Sequence, residues 1–402
     1  MNERGRAARS LPAGGGRIAA RFVGLDSTRH LSPGEVVWDA RGTIVALRRA
    51  RGPVEDLCVL PGLVDAHVHL QIAPIVGAPR AFVPWLGAVL ADRAANSPAA
   101  VRANVRAALA RLLAHGTTAV GEIDSTGASR AVLTRSRCTG RVYRELTGFH
   151  LDAESSARLV RDRSAAAAVR VPAGLSPHAP YSVSAALFRA AARACPQLAV
   201  HCAEVPEEQQ FLRTGRGPFA DLLARLDRLP RGFRAPGVGA VRWLETLGVL
   251  RAGTQLVHCQ ELERGDIARI AAAGATIAVC PGTIEWFARS APPVESWLAA
   301  GITVALGTDS QASNASFSMR AELATAARLW PGLSPSRLLD MATTMAGAAI
   351  GLPHLGRLRR GGRADLVAVA AERSFEQSLA RFVHGGATLR LTVARGRPIR
   401  PS

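Results

Sequence analysis

Leu60-Pro61-Gly62-Leu63-Val64-Asp65-Ala66-His67-Val68-His69 is an apolar run that opens at a Pro-Gly break and closes on two histidines one residue apart. It reads as a buried strand whose last residues do chemistry. Strand side chains alternate faces, so His67 and His69 project to the same side with Cα atoms about 7 Å apart. That is close enough for two imidazoles to share one metal ion, and Asp65 is expected on the same face. An isolated His-x-His also occurs at solvated strand edges, because imidazole is a common surface group as well as a common ligand. The rest of the chain decides between the two readings.

The chain has 402 residues and is 48% hydrophobic, enough for a large core. An α/β barrel of this length can form a single domain, here with an appendage. A net charge of +19 ordinarily points to nucleic acid or a membrane surface. Here every basic residue is an arginine, none is a lysine, and they are scattered through helical segments instead of clustering. Neither a nucleic-acid nor a membrane partner is therefore expected. Uniform arginine usage reads as a codon-composition bias. Cys58, Cys138, Cys195, Cys202, Cys259 and Cys280 contain no C-x-x-C pair, which fits a reducing cytoplasm. Residues 1–17 are rich in Arg and Gly without the apolar run of a signal peptide, and no apolar stretch is long enough to span a bilayer. The expectation is a soluble cytoplasmic protein with a small-molecule partner, a homodimer being left open.

Outward from the opening strand, residues 17–60 are short β-type runs between Gly and Pro turns, and a similar texture returns at 364–369 and 387–393. The two ends are expected to pair into one small satellite β-sandwich domain, residues 1–60 with 353–402. Between them, over 61–352, the pattern becomes strand, turn and amphipathic helix, repeated. Strand candidates are 61–66, 117–123, 141–148, 170–176, 197–203, 254–259, 275–280 and 302–308. Eight is the count that closes a (β/α)8 TIM barrel, an α/β fold. Segments such as 99–115, 184–194, 265–273 and 293–300 are Ala-, Leu- and Arg-rich at helical spacing and form its outer ring.

Active sites of such barrels sit at the carboxyl ends of the strands, and the residues ending these runs are not a random set. Strand one ends in His67 and His69, strand four in Pro177-His178, and strand five in His201-Cys202-Ala203-Glu204. Strand six ends in His258 and strand eight in Gly307-Thr308-Asp309-Ser310. Five of the ten histidines fall at one rim. Taken singly, each has a bland explanation as a loop residue, a satisfied core histidine or a helix N-cap. Falling together at the same end of different strands, they do not.

The ordered set P-G-x-x-D-x-H-x-H, then His-x-x-Glu at strand five, His at strand six and Gly-Thr-Asp-Ser at strand eight resembles the metal-dependent amidohydrolase superfamily over nearly the whole chain. The His201/Glu204 pair is similar to that of its mononuclear deaminase and chlorohydrolase branch. Binuclear members commonly bridge two metals with a carboxylated lysine, and a chain without lysine implies one divalent ion, Zn²⁺ or Fe²⁺. The resemblance implies that His67, His69, His201 and Asp309 hold that ion and leave a position for water. The ion lowers the water's pKa toward ~7. Glu204 is then the proton carrier between water and a ring nitrogen of the substrate. His258 orients the water, and Asp309 relays a proton to leaving ammonia.

Leu175-Ser176-Pro177-His178-Ala179-Pro180-Tyr181, Glu207-Glu208-Gln209-Gln210-Phe211-Leu212 and Phe82-Val83-Pro84-Trp85-Leu86 further resemble adenosine-type deaminases of this branch. Families acting on aminofutalosine and on methylthioadenosine or S-adenosylhomocysteine look nearest. This implies deamination of a 6-aminopurine nucleoside, in menaquinone biosynthesis for the aminofutalosine type, with His178, Gln71 and Trp85 as substrate contacts. The alternative is another cyclic C–N or C–halogen bond, as in a triazine or an imidazolone. Two departures keep it open. Gln71 stands where relatives usually carry Glu, and Cys280-Pro281-Gly282-Thr283-Ile284-Glu285-Trp286 where they usually read Cys-Pro-Arg-Ser-Asn. Both positions are expected to face the pocket, and an amide lacks the charge-assisted bonding of a carboxylate.

Overall fold

The computed structural model describes residues 15–164 and 171–399. Most of the Arg- and Gly-rich opening, and residue 170 at the start of the fourth expected strand, lie outside the described residues. Eight parallel strands follow in the expected order: Leu63–His69, Thr117–Asp124, Thr139–Leu146, Ala173–Pro177, Leu198–Cys202, Thr254–His258, Thr276–Val279 and Val304–Leu306. The eighth breaks at Gly307-Thr308 and resumes as Asp309–Ser310. Asp309 pairs with Val68 and Ser310 with His69, which brings the last strand onto the first and closes the (β/α)8 barrel. Every residue of the first two strands is buried, as strands covered on both faces require.

The expected outer helices are Pro98–Ala114, Ala185–Ala194, Asp266–Ala273 and Val294–Ala299. Two begin at serine caps, Ser97 and Ser184, whose side chains accept the N–H groups of Ala100 and Leu187. The third ends at Gly274 in the left-handed conformation.

Inside the barrel, Val64 and Ala66 pack with Ala119, Val257, Ala278 and Ala305, and the helix Thr344–Ala349 joins the same cluster. Arg141 ties this layer together, donating through Nε to the Ile350 carbonyl at 2.7 Å and through Nη1 to that of Ala173 at 2.6 Å. Pairing of the first strand with the second shifts register between Asp65 and Val68. Such an irregularity breaks strict alternation, so Ala66 and the adjacent His67 can both reach the barrel interior. Asp65 instead meets the break in strand eight. Its carboxylate accepts the Thr308 N–H at 3.0 Å and the Thr308 hydroxyl at 2.5 Å, which laces strand one to that break. Gly307 makes this closure sterically feasible, since a Cβ there would lie 2.7 Å from the His67 carbonyl oxygen.

Strands from both ends of the chain share a second sheet. Its order is Arg397–Ile399, Leu389–Ala394, Leu366–Ala370, Glu55–Pro61, Gly16–Gly24, Gly34–Trp38 and Ile44–Arg49, with His30–Leu31 beside Gly16–Gly24. Glu55–Pro61 is the joint: it runs parallel to Gly16–Gly24, antiparallel to Leu366–Ala370, and through Gly62 into the first barrel strand. Between the two β runs expected at 364–369 and 387–393, the C-terminal part holds a helix, Phe375–Val383. Ser374 caps it, and Phe375, Leu379, Phe382 and Val383 form its buried face at helical spacing. Among the described residues, no helix is long and apolar enough to cross a membrane.

Candidate metal centre and active site

The strand ends bring His67, His69 and His201 together with ligand nitrogens all within 4.8 Å of one another. His69 Nε2 lies 3.3 Å from His201 Nε2. His201 Nδ1–H donates to the carbonyl of His178 at 3.0 Å, which leaves the Nε2 lone pair facing the centre. Neither ring nitrogen of the fully buried His67 has a hydrogen-bond partner. Buried polar atoms rarely stay unpaired, and three convergent imidazoles are a donor set that suits a borderline divalent cation. Burial pushes the pKa of His69 down to about 4 and that of His201 well below the usual imidazole range, which favours the neutral form, the one with a lone pair to donate. The residues present therefore fit the metal that the motifs imply.

Asp309 lies beside the three imidazoles. Its Oδ1 is 3.7 Å from Nε2 of both His67 and His69. Oδ2 accepts from the hydroxyls of Ser313 at 2.8 Å and Thr283 at 3.1 Å. Burial alone would raise the carboxyl, but the neighbouring imidazoles outweigh it and hold Asp309 well below the usual carboxylate range. Backbone strain marks the spot, since Asp309 and His258 have φ of 58° and 73°, uncommon for residues other than glycine.

Glu204 stands 3.6 Å from His258, measured Oε1 to Nε2. Burial lifts its pKa to about 8, against the opposing pull of the Arg289 guanidinium. His258 moves the other way, down to about 3, again chiefly through burial. A carboxyl that holds and releases a proton near neutrality beside a neutral imidazole is arranged for proton transfer.

These groups form the floor of a cavity of about 420 Å³. Its lining includes His69, His178, His201, Glu204, His258 and Asp309 on the polar side, and Phe82, Trp85, Val89, Phe219 and Leu222 on the apolar side. His178 and Trp85, both expected at the substrate, are there; His178 Nδ1 is 2.8 Å from Ser182 Oγ, and Trp85 Nε1 donates to the Ala312 carbonyl at 3.2 Å. Gln71 is not among the lining residues. Its amide donates to Asp124 at 3.0 Å and Glu122 at 3.3 Å, and its carbonyl accepts from Ser125 and Thr126, both at 3.1 Å, so its bonding capacity is used within the wall. The segment 282–286 is also absent from the lining. It braces the floor from behind: Thr283 bonds Asp309, and Gly282 N–H donates to Glu322 at 2.7 Å.

Sequence reasoning missed Glu145 and Arg93. They form a 3.0 Å ion pair on the cavity lining. Glu145 lies at the end of the third barrel strand, so position along the strand could have found it; Arg93 sits on the helix Phe82–Ala95, where no local signal distinguishes it from other arginines.

The model of the amidohydrolase family matches residues 58–398. The chain belongs to this family and is a hydrolase acting on carbon–nitrogen bonds. It is 34% identical over 336 residues to an aminodeoxyfutalosine deaminase of Deinococcus radiodurans, which covers 75% of each chain. Among solved structures it is similar to the Helicobacter pylori aminofutalosine deaminase in complex with methylthio-coformycin, with a TM-score of 0.82 and 22% identity over 95% of this chain and 99% of that one. A zinc-bound atrazine chlorohydrolase of Arthrobacter aurescens has a TM-score of 0.79 and 22% identity, over 96% and 95% of the two chains.

Proposed function

We propose that the protein is a hydrolytic deaminase of a 6-aminopurine nucleoside, of the aminofutalosine type, and serves menaquinone biosynthesis. The carrying observation is one cavity with two unlike ends, a floor of imidazoles and carboxyls and an aromatic wall of Phe82, Trp85 and Phe219, with Tyr181 stacked on Phe219 at 3.9 Å. A flat, amine-bearing heterocycle with an apolar substituent fits such a space. The 34% identity to an aminodeoxyfutalosine deaminase supports the same choice.

His67, His69, His201 and Asp309 would hold one divalent ion, Zn²⁺ or Fe²⁺. When bound, it supplies a Lewis acid that makes water acidic enough to attack a ring carbon at neutral pH. Glu204 takes the proton from the attacking water and delivers it to the ring nitrogen. His258, neutral and beside Glu204, orients the water through Nε2, and Asp309 passes a proton toward the departing ammonia. His178 and Trp85 bound the heterocycle, while Gln71 supports the wall behind it. The sheet shared by the two ends of the chain is read as a small satellite β domain, 1–60 with 353–402, appended to a 61–352 barrel. Six unpaired cysteines suit a cytoplasmic setting.

Ammonia release from aminofutalosine and from methylthioadenosine, measured beside a triazine and an imidazolone, tests the assignment. Aminofutalosine should give the highest kcat/KM. Turnover of the triazine or the imidazolone with no ammonia from either nucleoside would move the site to the alternative chemistry.

A further inference from the structure

The loop leaving the seventh barrel strand carries a cation that the proposed reaction does not use. After the short helix Pro281–Trp286, Ala288 takes a left-handed backbone with φ of 53°. The turn is closed by the Arg289 N–H, which donates to the Ile284 carbonyl at 2.9 Å. It aims the Arg289 side chain at Glu204, whose Oε1 lies 3.5 Å from Nη1. The guanidinium carbon sits 4.3 Å from the ring centre of Phe287 and 5.4 Å from that of Phe82. Nη2 is buried and has no partner. Arg289 does not line the cavity, whereas Glu204 does.

Each feature bears on the placement of Glu204. Its side chain is only 4% exposed, and a buried carboxylate that alternates between charged and neutral forms needs its charged form compensated. His258 and Arg289 are its ion-pair partners among the described residues, and of these only the guanidinium is permanently charged. A guanidinium stacked on aromatic faces has a fixed plane, so it presents its two arms in a fixed direction. Phe82 opens the helix Phe82–Ala95, the apolar wall of the cavity, and Arg80 binds the same loop from that side by stacking over Trp286 at 4.1 Å.

We propose that Arg289 is a positioning residue for Glu204: clamped against Phe287 and Phe82, its guanidinium holds the carboxylate at the angle from which it exchanges a proton with water and substrate, and ties that angle to the seating of the wall helix. The unpartnered Nη2 is the second arm of the fork. Rotation of the Glu204 carboxylate turns the one-armed contact into a two-armed one. The proposal rests on Glu204 being the proton carrier.

The test uses the metal-loaded enzyme and the panel substrate that wild type turns over fastest, with R289M, R289K, E204Q and the E204Q/R289M double variant. Metal content and thermal unfolding are measured for each. R289M should keep its metal and lose ~30- to 100-fold in kcat with KM within about 3-fold of wild type, the signature of a misplaced proton carrier. R289K should recover to within ~10-fold of wild type, and added guanidinium should raise the R289M rate. In the E204Q background R289M should cost nothing further, because it acts through the missing carboxylate. Losses that multiply in the double variant, a loss expressed in KM, or an R289M kcat within about 3-fold of wild type would each overturn the role of Arg289. An E204Q enzyme retaining more than about a tenth of wild-type kcat would overturn the reading of Glu204 and this proposal with it.

Discussion

The two ends of the cavity are built on opposite principles. At the floor, donors are directional and their orientations are enforced one by one: His201 by the His178 carbonyl, Asp309 by two hydroxyls, Glu204 by Arg289 and by its own N–H bonded to Glu208 at 2.9 Å. At the wall, Phe82, Trp85 and Phe219 sit on the helices Phe82–Ala95 and Pro218–Arg225 and meet in ring contacts such as the 5.5 Å Phe82–Trp85 and 6.3 Å Phe82–Phe219 pairs. Coordination and proton transfer tolerate little displacement. Apolar packing is non-directional, and volume-conserving changes cost it little. The floor can therefore hold one chemistry while the wall is free to change what is presented to it.

Breaking the floor should have the largest effects. The double variant His67→Ala, His69→Ala should lose its metal and at least ~10⁴-fold in activity, with reduced thermal stability because bound metal contributes to folding. Elemental analysis should find about one divalent ion per wild-type chain and almost none in the variant. Glu204→Gln keeps shape but cannot carry a proton, so turnover should fall by at least ~10³-fold with metal content unchanged.

Gln71 sits behind the cavity lining, bonded to Glu122, Asp124, Ser125 and Thr126. A carboxylate in its place would face Glu122 and Asp124 at close range in a buried network. Gln71→Glu should therefore destabilise the fold by about 3 kcal/mol in urea unfolding. Faster turnover of a ribose-bearing purine at unchanged stability would instead place Gln71 at the substrate. At the wall, Trp85→Leu should raise KM by about 5- to 20-fold and leave kcat within about 3-fold. A kcat effect as large as that of Glu204→Gln would erase the distinction between wall and floor.

A further effect concerns pH. Glu208 is fully buried, and burial lifts its carboxyl to about 7 from an ordinary 4.5. Between those values the unfolded chain binds fewer protons than the folded one, so the contribution of this group is present below about 4.5 and is lost as pH rises toward about 7. Wild-type stability should fall over that range by up to ~1.4 kcal/mol per pH unit from this group, and denaturation of Glu208→Gln should show a shallower slope. Equal slopes would mean that the carboxyl is already ionised in the fold.

The barrel was legible because each strand is a short apolar run bounded by turn residues, and because histidines and carboxylates recur at the same end of several of those runs. His67, His69, His201, His258 and Asp309 thus announced themselves by residue type and place. Asp65 did not, because strict alternation put it on the face of His67, and only a register shift in the pairing with strand two turned it to Thr308. Gln71 resembled a pocket residue for a similar reason: its neighbours Glu122, Asp124 and Ser125 are some fifty positions away and meet it only through strand pairing.

The sequence by itself determined the order of the barrel strands and which histidines and carboxylates end them, since hydrophobic period and residue type are local properties. Only the tertiary structure decided which aromatic rings face the cavity, that Arg93 meets Glu145, and that Arg289 reaches Glu204 across 85 residues. The physical reason is that a packed contact or a buried ion pair depends on how helices settle against the barrel. No spacing within one segment encodes that.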